Sequence, residues 1–191
     1  MENRYVGTII FTTVEVITLV VWLVLALSED IIFNVLALLT LIGGFTLEHF
    51  IAYNVINNRG FFNFKGIPAR QKLVVSLIET GIWAVWLVVA LQVDHILAFV
   101  ILAGLLIIEH TISDNVFRGK PLFGALADKR TIGFSIIEGG GAGIWLVLVQ
   151  AGDSALAILG IVILVVGSFS EHLLSIRLAR RPEDIEKQDG R

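Results

Sequence analysis

The sequence predicts an all-α integral membrane protein: a six-transmembrane-helix bundle made of three tandem helical-hairpin repeats with pseudo-threefold symmetry. Three observations lead there. Hydrophobic residues make up 56% of the 191-residue chain and the mean hydropathy is +0.86, against roughly 45–50% apolar content in ordinary soluble domains. Lys and Arg are absent between Tyr5 and Asn58, between Leu73 and Phe117, and between Thr131 and Ile176. Each of these gaps holds two apolar runs near the length of about 20 residues that crosses a bilayer. Finally, one pattern of polar residues occurs three times.

The spans read as 5–27, 31–56, 71–92, 95–117, 131–150 and 154–178. The first follows Met1-Glu2-Asn3-Arg4, which has little positive charge, and no small-residue cleavage site follows the apolar run, so it is expected to be a span and not a cleaved signal. Ser28-Glu29-Asp30 is a short acidic turn into the second. A longer loop with Arg59, Lys65, Arg70 and Lys72 leads to the third; Phe61, Phe62 and Phe64 beside Lys65 suit a segment lying on the membrane surface. Gln92-Val93-Asp94-His95 turns into the fourth span, and His95, without a counterpart elsewhere, is expected to be solvated. Arg118, Lys120, Lys129 and Arg130 precede the fifth, and Gln150-Ala151-Gly152-Asp153 turns into the sixth. Since basic residues collect on the cytoplasmic side, both termini and the long loops are expected there, in the cell (inner or plasma) membrane. The whole chain 1–191 reads as a single membrane domain, with repeats near 5–64, 65–125 and 126–181 and a polar tail at 182–191.

The odd spans carry Glu15, Glu79 and Glu138, each followed seven residues later by a tryptophan: Trp22, Trp86 and Trp145. A hydroxyl stands three residues before each of these glutamates: Thr12, Ser76 and Ser135. The even spans carry the pairs Glu48-His49, Glu109-His110 and Glu171-His172, with glycine four to five residues ahead (Gly43, Gly44, Gly104 and Gly167). Each unit has two spans, so all three units point the same way and the implied axis runs along the membrane normal. At a rise of about 1.5 Å per residue, all six glutamates fall roughly 11–15 Å from the cytoplasmic ends of their helices. They form one slab, joined by the three histidines.

Such a slab demands compensation. An ionised residue at a helix centre costs about 2.5–3.5 kcal/mol on the insertion scale, so six would cost on the order of 15–20 kcal/mol, more than the 5–15 kcal/mol that holds a typical domain together. No Lys or Arg stands near that level to offset it: Lys72 and Arg177 lie at the cytoplasmic ends of their spans. Protons or bound cations must. The leading expectation is a metal centre of Glu15, Glu48, His49, Glu79, Glu109, His110, Glu138, Glu171 and His172, with Thr12, Ser76 and Ser135 supporting them. Carboxylate and imidazole suit divalent Zn, Mn or non-haem Fe. The expectation extends to a multinuclear centre serving a redox or hydrolytic enzyme that acts on a small or lipid-soluble substrate. Alternatives are a proton or cation transporter or channel component using the same glutamates, and a structural core of protonated acids; haem held by two histidines ranks below these.

The chemistry of carboxylate di-iron bundles, with Glu from two helices and Glu-x-x-His from two others, offers an analogy. The spacing departs from it, because Glu and His are adjacent here. Their side chains lie about 100° apart, so one of each pair is expected to face the axis and the other a neighbouring helix. Trp22, Trp86 and Trp145 suit either a hydrophobic roof over the slab or an aromatic belt at the outer interface. Trp83 suits packing or lipid contact. Asn54 and Asn115 are expected to finish their helices at the cytoplasmic surface. The chain has no cysteine, which excludes disulfides, thiolate ligands and lipidated cysteine. Its net charge of −3 comes without any nucleic-acid-binding module. The expected partners are the lipid bilayer and an unidentified small molecule or ion.

Overall fold

The computed structural model describes residues 2–56, 69–117 and 129–178. Among them every regular element is a helix: α1 Glu2–Ala26, α2 Ile31–Ile56, α3 Ala69–Ala90, α4 His95–Phe117, α5 Lys129–Gln150 and α6 Ser154–Leu178. Five are long and apolar enough to cross a membrane, over Tyr5–Ala26, Ile31–Val55, Leu73–Ala90, His95–Ser113 and Ile132–Gln150; α6 carries a shorter apolar stretch, Ser154–Ser170. The basic segments 57–68 and 118–128 and the polar segment 182–191 fall outside the described residues, and with them the expected placement of Phe61, Phe62 and Phe64 on the membrane surface.

The three short turns share one device. Asp30, Asp94 and Asp153 each accept backbone N–H bonds at Oδ1 from the start of the next helix: Ile32 at 2.8 Å, Ile96 and Leu97 both at 3.0 Å, Ala155 at 2.7 Å and Leu156 at 3.2 Å. These are N-caps, which satisfy donors a helix cannot pair internally. Gly152 closes α5 with φ of +71°, the left-handed conformation that glycine adopts without a Cβ penalty.

Each helix packs on its neighbours in sequence, and α6 returns to α1. The polarity is turned inside out relative to a soluble protein. Ile31, Ile96 and Val24 are 72%, 77% and 69% exposed, whereas Glu15, Glu48, Glu79, Glu109 and Glu138 are buried. Apolar side chains on the outside and acids within suit a bilayer as solvent.

Two apolar clusters sandwich the acids. Phe11, Ile51, Ala52 and Val55 lie on one side, toward the start of α1 and the end of α2. A larger cluster on the other side includes Leu19, Trp22, Leu41, Phe45, Trp83, Trp86, Leu102, Leu106 and Trp145. Trp22, Trp86 and Trp145 are buried in it, which removes them from the lipid-facing aromatic belt. Trp83, with rings of Trp22 and Trp86 set edge-on at 6.1 Å and 5.5 Å, is packing. Asn54 and Asn115 stand in the last turns of α2 and α4, but their side chains are buried and do not face the surface.

Candidate metal centre

The helical register places each even-helix histidine against the next odd helix. His49 on α2 reaches α3, where its Nδ1 shares a hydrogen bond with Ser76 Oγ at 3.1 Å and its Nε2 lies 3.3 Å from Glu79 Oε2. The preceding Glu48 puts Oε2 at 3.7 Å from the same Nε2. His110 on α4 repeats this against α5: Nδ1 to Ser135 Oγ at 2.9 Å, Nε2 to Glu138 Oε2 at 3.0 Å and to Glu109 Oε2 at 3.5 Å. His172 on α6 meets α1, sharing a hydrogen bond with Thr12 Oγ1 at 2.9 Å and standing 3.7 Å from Glu15 Oε2. Serine or threonine three residues before a glutamate lies on that glutamate's helix face. That is how one imidazole touches both.

Glu48 and His49 therefore do not divide between axis and neighbour: both bring a ligand atom within 4.8 Å of the Glu79 carboxyl, because a long Glu side chain spans the 100° step between them. The groups also share one region: Glu79 interacts electrostatically with Glu15, Glu48, Glu109 and Glu138, and His172 with His49 and His110. Glu171 stands on α6 beside His172, but its side chain lies outside the described residues.

Glu48, His49 and Glu79 are all buried, each offers a ligand atom within 4.8 Å of the other two, and together they could hold a metal ion. Glu79 Oε2 and Glu138 Oε2 are fully enclosed and accept no hydrogen bond, a costly state for a buried carboxylate unless something else compensates it. No protein-family model, curated protein or solved structure matches this chain. The chemistry of the site must be read from its own residues.

Two features escape the sequence pattern. Ser168 on α6, buried, donates to Glu15 Oε1 at 3.3 Å; its signal was a hydroxyl three residues before Glu171, the same offset that marks the odd helices. Phe11 packs edge-on against the His172 ring at 4.5 Å, and nothing in the repeat announces it. A groove of about 400 Å³ between α4 and α5, lined by Phe99, Gly140, Gly143 and Val147 among others, holds none of the glutamates.

Proposed function

We propose that this is an intramembrane metal-binding protein whose centre is drawn from the glutamates and histidines of the three hairpins. The observation that carries the reading is the Glu48, His49, Glu79 group: three buried donors from two helices within 4.8 Å. Two carboxylates and one imidazole match the preferences of divalent Zn, Mn or Fe. A divalent ion also offsets two buried carboxylates at once. Three protein donors leave a four-coordinate ion one open position, the arrangement of catalytic and not structural zinc. The reading therefore extends to Lewis-acid or redox chemistry on a small or lipid-soluble substrate. The buried tryptophans Trp22, Trp86 and Trp145 roof the layer against water on the side opposite Phe11 and Ile51.

The test is elemental analysis of the full chain purified in detergent, with melting temperature measured before and after a strong chelator. Bound metal stabilises the folded state by about 2.7 kcal/mol at a hundredfold excess over Kd, so removal is expected to lower the melting point by roughly 5–10 °C. Glu79→Gln, nearly isosteric, is expected to lower metal content. Wild-type protein with no metal and an unchanged melting point sinks the reading and leaves a proton pathway through the same acids.

The same proposal includes six crossings, three hairpins around an axis normal to the membrane, and termini in the cytoplasm. The support is the Lys and Arg asymmetry of the loops together with the return of α6 onto α1. A cysteine at Ser28 is expected to react with an impermeant reagent outside intact cells, and one at Gly66 is not. The opposite labelling reverses the orientation.

A further inference from the structure

Two features outside the acid layer lie together. His95 opens α4, where α2 and α6 begin with Ile31 and Ser154. It is exposed and stands at one end of the groove of about 400 Å³ between α4 and α5, lined also by Ile96 and Phe99 on α4 and by Gly140, Gly143 and Val147 on α5. Glycine makes this groove. A Cβ at Gly143 would stand 3.7 Å from Phe99 Cβ, and one at Gly140 would stand 3.9 Å from Phe99 Cε2, so both places have room for a side chain that the sequence leaves out. Two and five residues after the odd-helix glutamate, the same places hold Ile17 and Val20 in α1 and Gly81 and Ala84 in α3. At the end away from His95 the helices close: the Cβ position of Gly139 lies 3.5 Å from the Ala103 backbone.

The setting identifies the occupant. Both α4 and α5 are long and apolar enough to span a membrane, and the rim residues Ile96, Ile144 and Val147 are exposed apolar side chains. Apart from His95 the lining offers no polar side chain, so water finds too few partners to fill it. From Gly140 to Leu148 the groove follows α5 for about 12 Å at 1.5 Å per residue. Half of a hydrocarbon core is roughly 15 Å deep, so the groove has the length of one acyl chain running from its head group toward the midplane. The mouth selects the head. His95 offers an imidazole N–H, a donor suited to a phosphate oxygen. Asp94 and Asp153, exposed in the turns beside the mouth, cap α4 and α6 through Oδ1, and no Lys or Arg stands in either turn. That charge repels an anionic head and attracts an ammonium.

We infer that the groove between α4 and α5 binds one zwitterionic phospholipid from the bilayer, with an acyl chain against Phe99, Gly140 and Gly143, its phosphate at His95 and its ammonium toward Asp94 and Asp153. This site is separate from the metal centre and does not depend on it.

The experiment is native mass spectrometry of the full chain, delipidated in detergent and then mixed with phosphatidylethanolamine or phosphatidylglycerol carrying identical acyl chains. Wild type is expected to keep one phosphatidylethanolamine and to bind it more tightly than phosphatidylglycerol. The double variant Gly140→Ala, Gly143→Ala adds methyl groups to the floor, where the neighbours leave room, and alanine favours the helix, so it is expected to melt no lower than wild type without lipid. Its lipid affinity is expected to fall about tenfold, the low end for one methyl group in an apolar pocket. His95→Ala is expected to weaken phosphatidylethanolamine binding, and His95→Gln, which keeps an N–H donor, to restore it. No retained lipid, a double variant that binds as wild type does, or phosphatidylglycerol held as tightly as phosphatidylethanolamine overturns the assignment. So does a wild-type dimer that the double variant splits, which would put a second copy of the chain in the groove.

Discussion

The hairpins α1–α2 and α3–α4 carry the same chemical markers but pack differently. In α1–α2, Gly44 lies directly against Thr18; a Cβ built at Gly44 would run into the Thr18 side chain. The corresponding places in α3–α4, four residues before the even-helix glutamate and three after the odd-helix one, are Leu105 and Ile82. The third hairpin resembles the first, with Gly141 and Gly167 at backbone contact distance. Small residues let membrane helices approach closely, and bulky ones hold them apart. The polar residues decide what the hairpins contain. Their separation is decided by residues that differ from hairpin to hairpin.

The largest effect expected from this difference is at Gly44. Thr18 is β-branched, buried, and tied by its hydroxyl to Val14 O at 2.7 Å, so it has little room to yield. Gly44→Ala is expected to cost about 1–3 kcal/mol, the usual range for overpacking. Gly104→Ala in α4 is expected to be neutral or mildly stabilising, because no atom lies within 4 Å of its Cβ position and alanine is the better helix former by about 1 kcal/mol. Thermal melting of both variants in one detergent checks this. Equal losses at the two sites would show that the close approach of α1 and α2 is not what separates the hairpins.

Much of the architecture was legible in the residues. Charge-free apolar runs marked the helices to within three residues, because in a bilayer a run of that length has few other options. The Glu, His and hydroxyl pattern marked the polar layer, since a buried acid is expensive enough to be conspicuous. Legibility ended where geometry depends on the partner helix. Adjacent Glu and His were expected to diverge, whereas side-chain length lets Glu48 and His49 converge on Glu79. Gly43, Gly44 and Gly104 looked alike, but an offset of one residue turns Gly44 toward α1 and leaves Gly43 and Gly104 with nothing near them. Asn54 and Asn115 looked like surface caps and are buried. One regular signal was available: Asp30, Asp94 and Asp153 each fall fifteen residues after an odd-helix glutamate, and all three cap the next helix.

At their buried tryptophans the second and third hairpins also differ, by a smaller amount. Trp86 Nε1 donates to Ala98 O at 3.0 Å. Trp145 is equally buried, but its Nε1 has no hydrogen-bond partner, and its ring edge and backbone press on Gly160, where a Cβ would stand 2.8 Å from Cδ1. Replacing either by Phe removes a similar volume from a dry core, so the cavity cost is common to both. What remains is the hydrogen bond. Trp86→Phe loses a contribution of about 0.5–1.5 kcal/mol, whereas Trp145→Phe removes an unpaired donor whose burial itself costs about 1–3 kcal/mol. Trp86→Phe is therefore expected to melt below Trp145→Phe, by an amount corresponding to roughly 1 kcal/mol or more. Tryptophan fluorescence during thermal unfolding gives both values. If Trp145→Phe proves the more damaging, its indole N–H meets a group inside the bundle that Trp86 does not.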